Sequence, residues 1–276
     1  MEKKKNKFLS NKGFMIFAVL ALLIILASIC APLICHGVDP TEGELAEAIM
    51  APSKAHPFGT DKMGRDIFAR VIYGSRTSLI STFSLVLTIF VIGTFLGILA
   101  GYFGGWVDAV IMRIADMMIA FPGLVLAIAV AGMLGASTKN AIIAISVVSW
   151  PKYARLARSL VMKIRHTDFV AAAQVTGSRT PYMLWKYMLP NTITTLVITT
   201  ATDIGSMMME LAALSFLGFG AQPPTPEWGS MLNEGRNFMQ SAPWMMIYPG
   251  LAIFITVVIF NMLGDNLRDI LDPKTE

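Results

Sequence analysis

Two carboxylates seven residues apart, Asp203 and Glu210, stand in a stretch that is otherwise apolar or hydroxylated. Ionisable groups in such company line an aqueous path, take a hydrogen bond from a neighbouring helix, or sit at an interface. A spacing of seven returns nearly to the same helix face, and the residues alone leave all three roles open. Met207, Met208 and Met209 lie between them. Three consecutive residues cannot share a face, so packing explains them better than a soft-metal site does.

Other chemistry fails on spacing. An intramembrane hydrolase would have to be built from Asp203, Glu210 and His166, but these lie on different levels and His166 falls in a basic, wet stretch. There is no H-E-x-x-H, no nucleophile elbow, no catalytic-cysteine neighbourhood and no Walker A sequence. The chain is therefore expected to be no enzyme, to bind no cofactor and to hydrolyse no ATP itself. Cys30, Cys35 and His36 lie at the end of an apolar run in a chain with only three histidines, which is poor material for a metal centre. Gly59 and Gly64 have the spacing of a turn, not of a phosphate cradle.

The elements that must hold these residues are membrane helices. The 276-residue chain is 55% hydrophobic and 14% charged, against about 25% charged in soluble domains. Its apolar residues come in long blocks without barrel-type alternation. The basic residues flank these blocks and form no single stripe, which excludes nucleic acid as a partner. The fold class expected is all-α and polytopic: six transmembrane helices with both termini in the cytoplasm.

The spans are expected near residues 14–35, 77–100, from Asp108 through a bend at Pro122, from Ala141 through Trp150-Pro151, 192–216 and 248–263. The first is read as uncleaved, because Ile29 before Cys30 is too large for lipoprotein processing. On this topology fifteen Lys and Arg lie inside and seven outside. Gly93, Gly97 and Gly101 recur every four residues, as does the series Gly123, Ala127, Ala131, Gly135, giving faces for close helix contact. Asp66 is expected to cap a short surface helix carrying Ile67, Phe68, Val71 and Ile72. Arg113 and Asp116 have the spacing of an ion pair. Lys152, Arg155, Arg158, Lys163 and Arg165 form a basic extension that anionic lipid headgroups would attract. Residues 1–75 are taken as tail, first span and external loop, 76–265 as the transmembrane core, and 266–276 as a cytoplasmic tail.

Residues 167–190 carry the one ordered polar interval between spans. Thr167 and Asp168 can cap a short helix that Gly177 ends; Thr180-Pro181 starts a second, which Pro190-Asn191 is expected to stop. Ala171, Ala172, Ala173 and Gly177 leave little side chain in the way of an approaching protein. A knob gripped by a partner and an ordinary structured loop both fit these residues.

Three stretches resemble the permease subunits of the peptide/nickel family of bacterial ABC importers. One is Phe169-Val170-Ala171-Ala172-Ala173-Gln174-Val175-Thr176-Gly177, closed by Leu189-Pro190-Asn191. The second is Gly59-Thr60-Asp61-Lys62-Met63-Gly64-Arg65-Asp66. The third is Leu214-Ser215-Phe216-Leu217-Gly218-Phe219-Gly220, followed by Pro223-Pro224, Pro226 and Glu227-Trp228-Gly229. With Gly264-Asp265 to Asp272-Pro273, the likeness covers nearly the whole chain. Ala171 departs from the glutamate common in the family's docking motif, and Tyr187 from a histidine often found before the Leu-Pro.

The resemblance implies a type I ABC importer permease fold in the bacterial cytoplasmic membrane. It implies a related second permease, two ATPase subunits that use ATP and Mg, and an extracytoplasmic substrate-binding protein. Phe169, Ala171, Ala172, Ala173, Gly177, Leu189 and Pro190 would couple to the ATPases. Asp203, Met207 and Glu210 would face the path or the bundle interior. Asp61, Gly64, Arg65, Asp66, Trp228 and Glu234 would meet the binding protein. The runs 202–208 and 113–117 look closest to nickel-type permeases, so nickel or a metal chelate is the expected cargo. Dipeptide or oligopeptide import is the alternative, and a passive channel or non-transporting scaffold the alternative of another class.

Overall fold

The computed structural model describes residues 11–271. Lys3, Lys4, Lys5 and Lys7 of the basic N-terminal tail, and Asp272-Pro273 of the C-terminal one, lie outside the described residues. Every regular element among those described is helical, apart from an isolated bridge between Thr60 and Asp66.

Helix α1 is Lys12–Ile29, with the Asn11 side chain accepting the Phe14 N–H; the four-residue α2, Ala31–Ile34, follows a break at Cys30. The loop that follows leads to α3, Ile67–Phe103, of 37 residues. Asp66 caps it by accepting the Ala69 N–H at 2.8 Å. The expected short surface helix is instead the first turns of α3. Nothing in residues 67–77 breaks a helix except Gly74, and there a glycine suits the Trp228 ring, 3.3 Å from where a Cβ would stand. A helix of this length rises about 55 Å, well beyond the roughly 30 Å hydrocarbon layer, so α3 extends past the bilayer.

The expected third span is broken. Helices α4, Gly105–Ile119, and α5, Gly123–Leu134, meet at 95° around Pro122. The break lets α4 lie along α6, Thr138–Arg165. Arg155 donates to Asp116 at 2.6 Å, and Arg158 is bidentate to Asp108. Asp116 therefore pairs across helices and not with Arg113, and two of the basic residues expected to meet lipid are held by acids of α4.

Helix α6 runs through Pro151 without stopping, and its most extensive packing is against α3. Gly93, Gly97 and Gly101 make that packing possible. A Cβ at Gly97 would lie 2.3 Å from the Ala154 carbonyl oxygen, and one at Gly93 2.5 Å from the Tyr153 Cβ. The small-residue face does what its spacing predicts.

Helix α7 is Asp168–Val175 and α8 is Thr180–Met183; one widened turn, Leu184–Met188, joins α8 to α9, Leu189–Phe216. The stop expected at Pro190 does not occur, because residues 180–216 form one helix. Proline has no N–H for the carbonyl four residues back and its ring collides there in a regular helix. Here it sits in the first turn of α9, directly after a five-residue π turn that opens the ladder.

Helix α10 is Trp228–Gly235 and α11 is Trp244–Leu271. Pro249 and Gly264, expected to bound the last span, both lie inside α11. Gly264 is a packing residue: a Cβ there would come within 2.6 Å of the Ala201 carbonyl oxygen. Helices α1, α3, α9 and α11 are long and apolar enough to cross a membrane, and the broken pair α4–α5 adds one more if it forms a single span. By that criterion the described residues hold four or five spans, where six were expected. Helix α6, with five basic residues in its second half, does not meet it.

The main buried clusters occupy different parts of the bundle. One joins α1, α3, α10 and α11 around Ile67, Trp228 and Met245; a second joins α3, α5, α6 and α9 around Leu85, Ile145 and Leu214. A third, around Ile98, Val161, Val170, Met183 and Met188, anchors α7 and α8 to the ends of α3 and α6.

Candidate functional site

The first site is the α7 knob. Thr167 stands at the N-cap position but its hydroxyl donates back to the Ile164 carbonyl at 2.6 Å, so the expected side-chain cap is not made. The C-terminus is fully closed. Gly177 has φ +81°, with its N–H on the Gln174 carbonyl at 3.0 Å and the Ser178 N–H on the Ala173 carbonyl at 3.1 Å. Left-handed backbone here strongly favours glycine. Val170 and Ala173 are buried against the bundle, whereas Phe169, Ala171, Ala172 and Val175 are exposed, Val175 at 89%. Small side chains on the outer face and apolar anchors on the inner one make a rigid, shallow platform. Leu189 is half-buried and Pro190 exposed on the adjoining helix start.

The second site is a cleft of about 810 Å³ between α6, α9 and the end of α11. Thr194, Thr195, Thr199, Thr202 and Asp203 supply one wall, Lys152 and Tyr153 another, and Arg268 stands at the α11 side. Lys152 Nζ donates to Asp203 Oδ2 at 2.5 Å and the Tyr153 hydroxyl donates to the same oxygen at 3.0 Å. The Asp203 side chain is 12% exposed, that of Lys152 58%. The pair thus has one buried member and one solvent-exposed member. Charged residues of this wall are two cations and one anion.

The third site is a buried ionic network at the opposite end of α3 and α11. Asp61 accepts the N–H groups of Met63 and Arg65 at 2.8 and 3.0 Å and the Arg65 Nε at 2.7 Å. Arg65 and Arg70 both donate to Glu234 Oε2, at 2.7 and 3.3 Å. Arg70 also donates to the carbonyls of Pro40 and Pro224 at 3.1 and 3.2 Å. Glu227 caps α10 by accepting the Gly229 and Ser230 N–H groups, both at 2.9 Å. Burial pushes its carboxyl above the usual carboxylate range, against the pull of those two donors. Trp228 donates its ring N–H to the Val71 carbonyl at 2.9 Å. Three distant segments are thereby tied to the top of α3.

Residues 93–276 match the family model described as the binding-protein-dependent transport system inner membrane component. The chain belongs to that family. The permease is 44% identical over 264 residues to the dipeptide transport system permease DppC of Alkalihalophilus pseudofirmus, covering 96% of this chain and 86% of that one. It is 42% identical to DppC of Haemophilus influenzae over 97% and 92% of the two chains. It is 47% identical to the glutathione transport system permease GsiD of Pectobacterium atrosepticum, over 81% and 74%. Its fold is similar to that of the MetNI methionine ABC transporter in an inward-facing conformation. The TM-score is 0.59 at 18% identity, covering 75% of this chain and 98% of that one.

The permease is thus a multi-pass inner-membrane component of an ABC importer, with the ATPase site on other subunits. The relatives above carry the names of peptide carriers; the expected likeness to nickel permeases finds no support among them. Among the described residues no three His, Cys, Asp or Glu converge as metal donors. Met207 and Met208 are buried in two different apolar clusters and Met209 is exposed, as packing residues would be. Glu210 is exposed on α9, two turns beyond Asp203 and outside the cleft.

The residues expected to meet a binding protein are mostly covered by their own chain. Asp61, Arg65 and Trp228 are buried and bonded to one another's segments or to α3, Glu234 is half-buried and paired with Arg65, Gly64 is buried against the Glu44 backbone, and Asp66 is half-buried on its cap. Arg65 and Glu234 still line part of that face's cleft. Exposed neighbours Lys62, Met63, Thr41 and Glu42 line a cleft of about 700 Å³ beside them. The Lys152–Asp203 pair was not foreseen. Its members are 51 residues apart, and only the basic residue placed directly after Trp150-Pro151 within a helix hinted at it.

Proposed function

We propose that the permease forms half of the translocation path of a small-peptide importer. It would cross the membrane six times, α6 being the remaining span, with both termini and α7 in the cytoplasm. A related permease would supply the other half, two ATPase subunits would grip α7, and a binding protein would dock on the opposite face, over Lys62 and Met63. The carrying observation is the cleft on α9: a threonine-lined wall with Lys152, Arg268 and Asp203. Two cations against one anion, without a convergent donor set, suit a zwitterionic or anionic cargo and repel a bare divalent cation. The names of the relatives agree with this.

ATP-driven closure would move α7, and the continuous helix from Thr180 to Phe216 would carry that movement to the cleft wall. A state change of this kind needs differential contacts in the two conformations. The test is uptake in a deletion strain. Loss of labelled dipeptide or glutathione uptake, restored by a plasmid copy, with nickel uptake unchanged, is the expected result. Loss of nickel uptake with peptide uptake intact would overturn the peptide assignment.

A further inference from the structure

We propose that Lys152 and Asp203 are an exchangeable pair that binds the two charged ends of a peptide. The Lys152 ammonium, with the Arg268 guanidinium, would take the α-carboxylate, and Asp203 the α-ammonium. This rests on the peptide reading above. Three observations carry it.

First, the pair lies on the wall of a cleft of about 810 Å³, where Lys152 is mostly solvent-exposed although its Nζ is 2.5 Å from Asp203 Oδ2. The exposed ammonium stays hydrated as it passes from one carboxylate to another, so exchange adds little desolvation on the lysine side. Second, Asp203 is held in place without Lys152. The buried Tyr153 hydroxyl donates to it at 3.0 Å, so the carboxylate keeps its position when the ammonium swings away. Third, Arg268 lines the same cleft and forms no ion pair among the described residues, leaving a donor fork suited to carboxylate. The threonine hydroxyls between them offer neutral hydrogen bonds to a peptide backbone without favouring any side chain. Such a site reads the termini common to all short peptides and leaves side-chain choice elsewhere.

The experiment uses the whole transporter in nanodiscs without the binding protein. Labelled dipeptide binding is measured against the N-acetylated and the C-amidated forms of the same peptide. The wild-type complex should prefer the free peptide over both blocked forms. Lys152→Gln should weaken binding of the free peptide about tenfold, the scale of one lost charged hydrogen bond, and narrow the preference for the free acid over the amide to what Arg268 alone supplies, leaving the preference over the N-acetyl form intact. Asp203→Asn should lose discrimination against the N-acetyl form only. Tyr153→Phe keeps the ring and removes only the donor to Asp203, so it should weaken free peptide but not the N-acetyl form. Variants that bind all three ligands as wild type does, or that lose all three equally, would overturn the proposal. A wild-type complex that imports dipeptide yet shows no binding of its own would also overturn it. A complex that imports no dipeptide at all would instead sink the peptide reading on which it rests.

Discussion

Gly97 and Glu234 show two ways in which a single residue sets this structure. At Gly97 there is no room: a Cβ would stand 2.3 Å from the Ala154 carbonyl oxygen and 2.6 Å from the Ala157 Cβ. Gly97→Leu should force α3 and α6 apart and cost about 1–3 kcal/mol or more, read as a lowered melting temperature of the purified complex. Gly177→Ala is the informative contrast. Nothing stands within 4 Å of that Cβ, so any loss comes from the left-handed backbone alone. Glu234 is decided by charge. Glu234→Gln would leave Arg65 and Arg70 facing one full carboxylate, that of Asp61, at the same depth. Breaking a buried pair costs about 3–5 kcal/mol, so this variant should accumulate poorly in membranes, as an immunoblot would show; wild-type levels would mean that the network is not structural.

At the scale of elements, the proposed function makes the α7 knob a handle and the helix from Thr180 to Phe216 a lever. Val175→Asp places a charge on an 89% exposed apolar position of the handle without touching the buried face. It should leave protein levels and peptide binding intact and cut ATP-driven uptake at least about tenfold, by desolvating an unpaired charge at the ATPase contact. The short helix α7 and its stop were legible before the structure, since Thr167-Asp168 and Gly177 mark its two ends in local sequence. So were the helix-packing glycines and the Asp66 cap. Several other helix ends were not. Pro190, Pro249 and Gly264 each carry the local signature of a stop, and each lies inside a helix. Pro190 adjoins a π turn, and Gly264 has the α9 backbone pressed against it. The break at Pro122 was underestimated because Asp108 and Asp116 find their cations on α6 only once α4 turns aside. The cleft was half legible: Asp203 was visible as an acid in apolar surroundings, but its partners are 50 and 51 residues away.

For the whole molecule, an ionic brace lies at one end of α3, a cleft midway along α9, and the α7 knob at the far end of the same bundle; the proposed function makes these the external face, the peptide path and the ATPase handle. Everything depends on that handle lying on the cytoplasmic side, in line with the cleft. The most direct test is accessibility of one engineered thiol. With Cys30→Ala and Cys35→Ala removing the native thiols, Val175→Cys is treated with a membrane-impermeant maleimide. The account predicts no labelling in intact spheroplasts, labelling in inside-out vesicles stripped of ATPase subunits, and protection when those subunits are present. Labelling of intact spheroplasts would contradict it.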